Sequence, residues 1–211
     1  MTINGYFLSL LAALLNDKSC AVGLPIPEGD YLIRIADDFQ IPPQRCAATI
    51  SLIIRQEFGQ LREWSEEREL DWYLLAEEKH SELQNYVRAL LHLYQKNKAL
   101  YDSDQRYEGF EWINANDADR SIFSFVRKSK DGKNNLLFVC NFTPVAREDY
   151  RVGVPKASTY KLVLNSDDAA FGGSGEKRPA SIKAEHSECD GREYSIAYPL
   201  PGYGVAVFSY K

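Results

Sequence analysis

The spacing of hydrophobic residues changes once along this chain, near residue 107. Before that point, apolar side chains recur at steps of three and four residues over positions 80–98, which is the spacing of one face of an α-helix. The stripe consists of Leu83, Val87, Leu90 and Tyr94. Ser81 is the predicted N-terminal cap of this helix. Lys96 and Lys98 suit its C-terminus, where a positive charge interacts favourably with the helix dipole.

After residue 107, short apolar or β-branched runs alternate with turn residues, which is typical of β-strands. Strands are predicted at 110–113, 121–127, 135–142, 160–164, 194–198 and 204–210. The polar cluster 114–119 and the pair Asp131-Gly132 are predicted turns, and residues 167–192 are a predicted long exposed loop. Many short strands at this spacing predict an antiparallel sandwich.

Residues 1–54 follow neither pattern. The apolar run at 6–15 has no Lys or Arg before it, so we interpret it as a short helix or a frayed segment rather than a signal peptide. No long regular element fits between 24 and 43, because proline lacks a backbone donor; the residues concerned are Pro25, Pro27, Pro42 and Pro43. Residues 49–54 are β-branched and apolar, and suit a buried strand.

Residues 57–75 are dense in aromatic and charged side chains and have no regular period, which predicts an elaborate loop. Two interpretations are open. Phe58, Trp64 and Trp72 can pin this loop to a core, because aromatic side chains bury large areas. Alternatively, the loop carries function, as loops mounted on a rigid scaffold often do.

Composition narrows the class of protein. The chain has 211 residues, of which 45% are hydrophobic, as in a globular protein. Its net charge of -5 gives no basic surface, so nucleic acid is not an expected partner. No apolar run is long enough to cross a bilayer, so no membrane partner is expected either.

The cysteines and histidines predict neither a disulfide framework nor a metal site. The four cysteines form no CxxC pair, which indicates reduced thiols in a cytoplasmic protein; they are Cys20, Cys46, Cys140 and Cys189. His80 and His92 have no partner at metal-ligand spacing. We therefore expect no metal and no cofactor.

The order of residues in the 57–75 loop resembles that of a known family. The shared sequence motifs are Glu57-Phe58-Gly59-Gln60, Arg62-Glu63-Trp64, Arg68 and Leu70-Asp71-Trp72. They continue in Tyr86-Val87-Arg88-Ala89-Leu90, Glu108-Gly109-Phe110-Glu111-Trp112-Ile113, Val139-Cys140-Asn141-Phe142-Thr143-Pro144, Leu164-Asn165-Ser166-Asp167, Phe171-Gly172-Gly173 and Leu200-Pro201-Gly202-Tyr203-Gly204. In this order and spacing they are similar to bacterial 1,4-alpha-glucan (glycogen) branching enzymes of the alpha-amylase superfamily. The resemblance covers about residues 56–211.

The resemblance implies an α+β fold, with a short helical segment from the end of a barrel followed by an all-β antiparallel C-terminal sandwich of the alpha-amylase type. Residues 56–104 correspond to the last strand, loop and helix of a catalytic (β/α)8 barrel, and residues 105–211 to the sandwich. Residues 1–55 lack the resemblance and form a separate N-terminal segment.

The resemblance also implies a chemistry that this sequence does not complete. Branching enzymes cut an α-1,4 glucosidic bond and rejoin the chain through an α-1,6 bond, which requires a carboxylate nucleophile and a carboxylic acid/base. In the family these groups follow barrel strands four and five, and a further aspartate follows strand seven. None of the three motifs is present, so no catalytic residue is assigned and the chain is expected to be inactive alone.

The loop at 57–75 is the expected place for any contact with substrate. In the parent fold it lies on the catalytic face of the barrel. The candidate substrate-binding residues are Gln60, Arg62, Trp64, Trp72 and Tyr73. Because an open surface encloses little of a ligand, the expected α-glucan affinity is weak, around millimolar.

Three interpretations of the whole chain remain open. It is the C-terminal part of a branching enzyme of glycogen biosynthesis, or a non-catalytic module that binds α-glucan or a partner chain. The third is that it is the product of a truncated or frameshifted gene. Apolar faces left without a barrel predict that the chain self-associates or needs a complementary barrel fragment, and that residues 1–54 are sensitive to protease.

Overall fold

The computed structural model describes residues 69–103, 106–117 and 119–211. The predicted helix at 6–15 and the predicted strand at 49–54 lie outside these residues. The chain divides after Val87 into two compact units.

The helix predicted at 80–98 is present as α1, Glu78–Lys96. It begins after Glu77, whose backbone is extended (φ -89°, ψ 133°) and whose carbonyl oxygen accepts a hydrogen bond from the Ser81 amide at 3.1 Å. The prediction that Ser81 caps the helix is wrong, because its hydroxyl lies inside the first turn and donates to the Glu78 carbonyl oxygen. Lys96 ends the helix as predicted, whereas Lys98 opens the 3-10 turn Lys98–Leu100.

In the described residues after α1 there are eight strands, and all their pairings are antiparallel. They are β1 Phe110–Asp117, β2 Ile122–Arg127, β3 Asn135–Asn141, β4 Arg147–Val154, β5 Thr159–Asn165, β6 Ser181–Lys183, β7 Tyr194–Leu200 and β8 Val205–Tyr210. Six strands form one sheet in the order β1-β2-β3-β8-β5-β6, and β4 pairs with β7 in a second sheet. The predicted class, a short helical segment followed by an antiparallel all-β domain, is confirmed.

The largest differences from the sequence prediction are two additional strands and a longer β1. β4 was not predicted, and β6 lies within the predicted loop at 167–192. β1 runs through most of the predicted turn at 114–119, because tertiary contacts hold this polar stretch in the sheet. The Asn114 side chain donates to Asp190 at 2.8 Å, and the buried Asp117 carboxylate accepts from the Tyr150 hydroxyl at 3.3 Å.

The core lies between the two sheets and is built by alternation of side chains along the strands. From β4 it receives Tyr150, Val152 and Val154, which are separated by more exposed or smaller residues. The six-stranded sheet contributes residues such as Val126, Leu137 and Phe208, which stand side by side in the β2-β3-β8 register. Each such side chain contributes about 1.5 to 3 kcal/mol on full burial.

The opposite face of the six-stranded sheet carries a row of aromatic rings. Phe125 stacks on Phe138 with ring centroids 4.7 Å apart and an angle of 4° between the planes. On its other side Phe125 contacts Phe110 at 5.3 Å and Trp112 at 5.7 Å. Because β3 is buried along its whole length, the sheet is covered on both faces at this strand. That explains why the β3 sequence is a continuous apolar run rather than an alternating one.

Candidate functional site

Of the five predicted substrate-binding residues, the structure describes Trp72 and Tyr73; Gln60, Arg62 and Trp64 lie outside the described residues. Trp72 and Tyr73 open a short 3-10 helix, Trp72–Ala76. Trp72 is 56% exposed and Tyr73 is 68% exposed. Two adjacent aromatic side chains are therefore accessible at this point of the loop.

The backbone around these two rings is closely hydrogen-bonded. The Trp72 amide donates to the Leu70 carbonyl oxygen at 2.8 Å, and the Leu74 amide donates to that of Asp71 at 3.0 Å. Leu74 is buried and anchors the turn, while the two residues before it point outward. Such a turn can offer aromatic faces to a ligand without a large loss of backbone freedom on binding.

In the sandwich, most of the sequence motifs shared with the family contain residues that hold loops in place. Asn141 is buried, and all of its amide group is used. Its nitrogen donates to the carbonyl oxygens of Val145 and Pro201, both at 2.9 Å. Its oxygen accepts from the Thr143 amide at 3.0 Å and the Thr143 hydroxyl at 2.8 Å. One side chain thus joins the β3–β4 loop to the β7–β8 turn.

The β7–β8 turn is close-packed against that loop. A Cβ atom on Gly202 would lie 2.4 Å from the Pro144 carbonyl oxygen, so a side chain there has no room. Tyr203 follows in a left-handed conformation with φ 51°, which is unusual for a bulky residue. Its amide donates to the Thr143 carbonyl oxygen at 2.7 Å.

Asp167 organises the loop after β5, which was predicted to be simply exposed. Its carboxylate accepts from the Ser174 amide at 2.9 Å and from Arg178 at 3.3 Å. The Arg178 side chain is buried and also donates to the Pro199 carbonyl oxygen of β7 at 2.7 Å. Burial raises the pKa of Asp167, but the hydrogen bonds from Ser174 and Arg178 outweigh it and hold the pKa below its ordinary value.

Glu111 of β1 forms ion pairs with Lys128 and Arg192, and so ties the loop before β7 to the first strand. Burial raises the pKa of Glu111, but its two cationic partners outweigh that effect and lower the pKa overall. A general acid needs its pKa raised toward the working pH. Glu111 and Asp167 are shifted in the opposite direction, which fits a structural role for both carboxylates.

The cysteine and histidine side chains of the described residues do not form a metal-binding group. Cys140 and Cys189 are free thiols, and burial raises the pKa of Cys140 to about 12. His80 lies 3.7 Å from Glu77, and His92 is exposed. Within residues 69–103, 106–117 and 119–211, no group of three His, Cys, Asp or Glu side chains is arranged to hold a metal ion. No helix in the same ranges is long and apolar enough to span a membrane.

This arrangement of strands was compared with known protein families and structures. Residues 112–211 match the family described as alpha amylase, C-terminal all-beta domain. Part of a crystal structure is also similar, that of an isomaltulose synthase mutant from Erwinia rhapontici NX5 in complex with D-glucose. It covers 61% of this chain and 18% of its own, with a TM-score of 0.36 and 16% sequence identity.

Three curated relatives carry the same name, 1,4-alpha-glucan branching enzyme GlgB. The protein from Butyrivibrio fibrisolvens is 48% identical over 160 residues, which are 76% of this chain and 25% of the relative. The protein from Halothermothrix orenii is 44% identical over 74% of this chain and 25% of its own length. The protein from Aquifex aeolicus is 41% identical over 76% of this chain and 25% of its own length.

Residues 112–211 are therefore similar to the alpha-amylase C-terminal all-beta domain. More particularly, about three quarters of the chain is homologous to the C-terminal region of bacterial 1,4-alpha-glucan branching enzymes, which confirms the resemblance found in the sequence. The chain spans about a quarter of the length of these relatives.

Proposed function

We propose that this chain is the C-terminal part of a 1,4-alpha-glucan branching enzyme and acts in the α-1,4 to α-1,6 glucan transfer of glycogen biosynthesis. The observation that supports this most strongly is 48% identity over 160 residues to a curated branching enzyme. Asn141, Asp167 and Glu111, which stabilise loops, all lie in sequence motifs that the chain shares with the family. The sandwich then acts as a rigid partner for a catalytic barrel in the cytoplasm.

The chain alone is proposed to be catalytically inactive. The sequence contains none of the three carboxylate motifs that the reaction needs, and Glu111 and Asp167 are bound to cationic partners. In purified form it should not lower the absorbance of the iodine complex of amylose, and debranching of the products should release no new α-1,6-linked chains. Branching that survives further purification would contradict the proposal.

A chimeric enzyme tests the assignment itself. In the Butyrivibrio fibrisolvens enzyme, the C-terminal region would be replaced by residues 56–211 of this chain. If this segment is the equivalent part of a branching enzyme, the chimera should still introduce α-1,6 bonds into amylose. The same enzyme truncated at the junction is the control and should lose activity. A chimera that folds and binds amylose without branching it would contradict the assignment.

A second candidate function is a non-catalytic α-glucan-binding module. The exposure of Trp72 and Tyr73 favours it, because a ring face in solvent is available to a sugar. Together with Gln60, Arg62 and Trp64, these residues are proposed to contact glucan at around millimolar affinity, about 4 kcal/mol. In gels that contain glycogen, the chain should be retarded and the Trp72→Ala variant should migrate faster. Equal mobility of the two folded proteins would exclude a contribution from Trp72.

A further inference from the structure

We propose that Tyr94 and Tyr101 form a contact site for α-1,4-linked glucan, in addition to the contact proposed for Trp72 and Tyr73. Tyr94 lies in the last turn of α1, and Tyr101 follows the 3-10 turn Lys98–Leu100. The choice of ligand rests on the proposed function. The site itself is defined by the geometry of the two rings.

The two rings are in contact, inclined to each other and partly exposed. Their centroids lie 5.5 Å apart and their planes are inclined by 48°. Tyr94 is 37% exposed and Tyr101 is 42% exposed, so each ring is in contact with its neighbour and also accessible to a ligand.

The segment that presents the rings is rigidly supported. Asn97 closes the end of α1 by donating from its side chain to the Leu93 carbonyl oxygen at 2.7 Å. The amides of Tyr101 and Asp102 both donate to the Lys98 carbonyl oxygen, at 3.0 Å and 2.9 Å. The rings are therefore placed before any ligand arrives, which reduces the entropy lost on binding.

The same segment is also fixed to the sandwich. Leu93, Ala99 and Leu100 of this segment are buried. The Arg127 side chain of β2 donates to the Ala99 carbonyl oxygen at 3.3 Å. Beyond the end of β2, the Lys130 amide donates to the Asp102 carboxylate at 3.2 Å. Leu93, Ala99 and Leu100 thus anchor the segment, and part of each tyrosine side chain is exposed.

A pair of inclined tyrosines suits an α-1,4-linked glucan. Each glucose ring has an apolar face of C–H groups that can stack on an aromatic ring, and the phenol hydroxyl can exchange hydrogen bonds with sugar hydroxyls. An α-1,4-linked chain curves, so successive glucose units face different directions. Two planes at 48° can follow that curvature better than one flat surface.

The test uses the full chain and measures its retardation in gels with increasing glycogen. Tyr94→Ala and Tyr101→Ala should each weaken the apparent affinity by about three- to tenfold, because a stacked ring is lost. Tyr101→Phe keeps the ring and should retain most of the affinity. The matched control is Tyr203→Ala, which removes a tyrosine that is also 37% exposed but lies in the β7–β8 turn. This variant should be retarded by glycogen as strongly as the wild type.

A second measurement does not depend on the folding of variants. Tetranitromethane nitrates accessible tyrosines, and peptide mapping reports each one. Maltoheptaose should protect Tyr94 and Tyr101 from nitration, whereas cellohexaose, which is β-linked and extended, should not. Protection by neither sugar would overturn the proposal.

The failure of this site and the failure of the proposed function are distinguishable. If Trp72→Ala abolishes retardation and the Tyr94 and Tyr101 variants behave as wild type, the second site is wrong and the first loop binds glucan. If the wild-type chain is not retarded at all, the second site is wrong as well. In either case, the chimeric enzyme still decides whether this is the C-terminal part of a branching enzyme.

Discussion

At the scale of single residues, the side chain of Asn141 has a structural role that hydrophobic periodicity cannot predict. Its four hydrogen bonds join two loops that are about sixty residues apart in the chain. An asparagine at a strand end reads in sequence as an ordinary turn residue. Its role depends on Pro201, which reaches it only when β7 and β8 have formed.

We expect Asn141→Ala to lower the free energy of unfolding by about 2 to 3 kcal/mol, because buried donors and acceptors lose their partners. Urea unfolding followed by circular dichroism would measure it. Asn134→Ala is the control, since Asn134 is exposed and bonds to Ser129 through its backbone. A change below about 0.5 kcal/mol at Asn141 would show that the loops hold together without it.

Glu111 provides a prediction on pH dependence. Its folded pKa lies below the ordinary value of 4.5 because Lys128 and Arg192 outweigh the effect of burial. A depressed pKa means that the carboxylate stabilises the fold above its unfolded pKa. That stabilisation is lost as the pH falls below 4.5 and through the folded pKa.

The wild-type chain should therefore lose stability on acidification more steeply than the Glu111→Gln variant. The variant is expected to be less stable at neutral pH and to differ little from wild type once Glu111 is protonated. Melting temperatures measured between neutral pH and pH of about 3 give both curves. Glu148→Gln, at an exposed position of β4, should leave the wild-type slope unchanged. Parallel curves for wild type and Glu111→Gln would show that the ion pairs of Glu111 do not cause the loss of stability on acidification.

At the scale of elements, periodicity predicted α1 and six of the eight strands that lie in the part of the chain the structure describes. β4 did carry a signal, since Tyr150, Val152 and Val154 alternate, but the charged residues at its start and Gly153 obscured it. β6 has three residues and cannot be recognised by a period of two. It exists because Ser181–Lys183 pairs with β5 at the edge of the sheet, a contact that local sequence does not encode.

The segment between α1 and β1 should contribute to the stability of the sandwich. Residues 105–211 should fold alone, with a β-type circular dichroism spectrum and a cooperative melt, because both sheets and the core between them lie in this range. Residues 88–211 should be more stable by about 2 kcal/mol, since Arg127 and Lys130 regain Ala99 and Asp102 as partners. Equal stability of the two truncated proteins would mean that these contacts contribute nothing, and a structureless 105–211 would contradict the domain assignment.

At the scale of the whole molecule, the sequence indicated the fold and the family better than it indicated a site. The 57–75 loop was identified by its aromatic residues, but whether a given ring packs or projects depends on contacts that a sequence does not show. Tyr94 illustrates this, because its spacing placed it in the apolar stripe of α1. The 3-10 turn that follows brings Tyr101 against it and leaves both side chains partly exposed.

The distribution of exposed apolar side chains predicts how the chain behaves in solution. Of the residues of α1, all of which the structure describes, Leu93 is the one that is buried. Leu83, Val87 and Leu90 are partly exposed, although they form the apolar stripe of this amphipathic helix. A helix in a globular protein usually covers such a stripe. This one therefore has apolar surface available for a partner of complementary shape, either a barrel fragment or a second copy of the chain.

We expect the full chain to self-associate, with a sedimentation coefficient that rises between low and high micromolar concentration. The net charge of -5 opposes association, so added salt should strengthen it by screening the repulsion. The protein of residues 105–211 lacks α1 and should remain monomeric under the same conditions. Double substitution of Val87 and Leu90 by Ser should also reduce association, since it removes the centre of the stripe. If the full chain is a monomer at every concentration and salt level, the stripe does not drive association. If residues 105–211 associate equally well, the surface responsible lies on the sandwich.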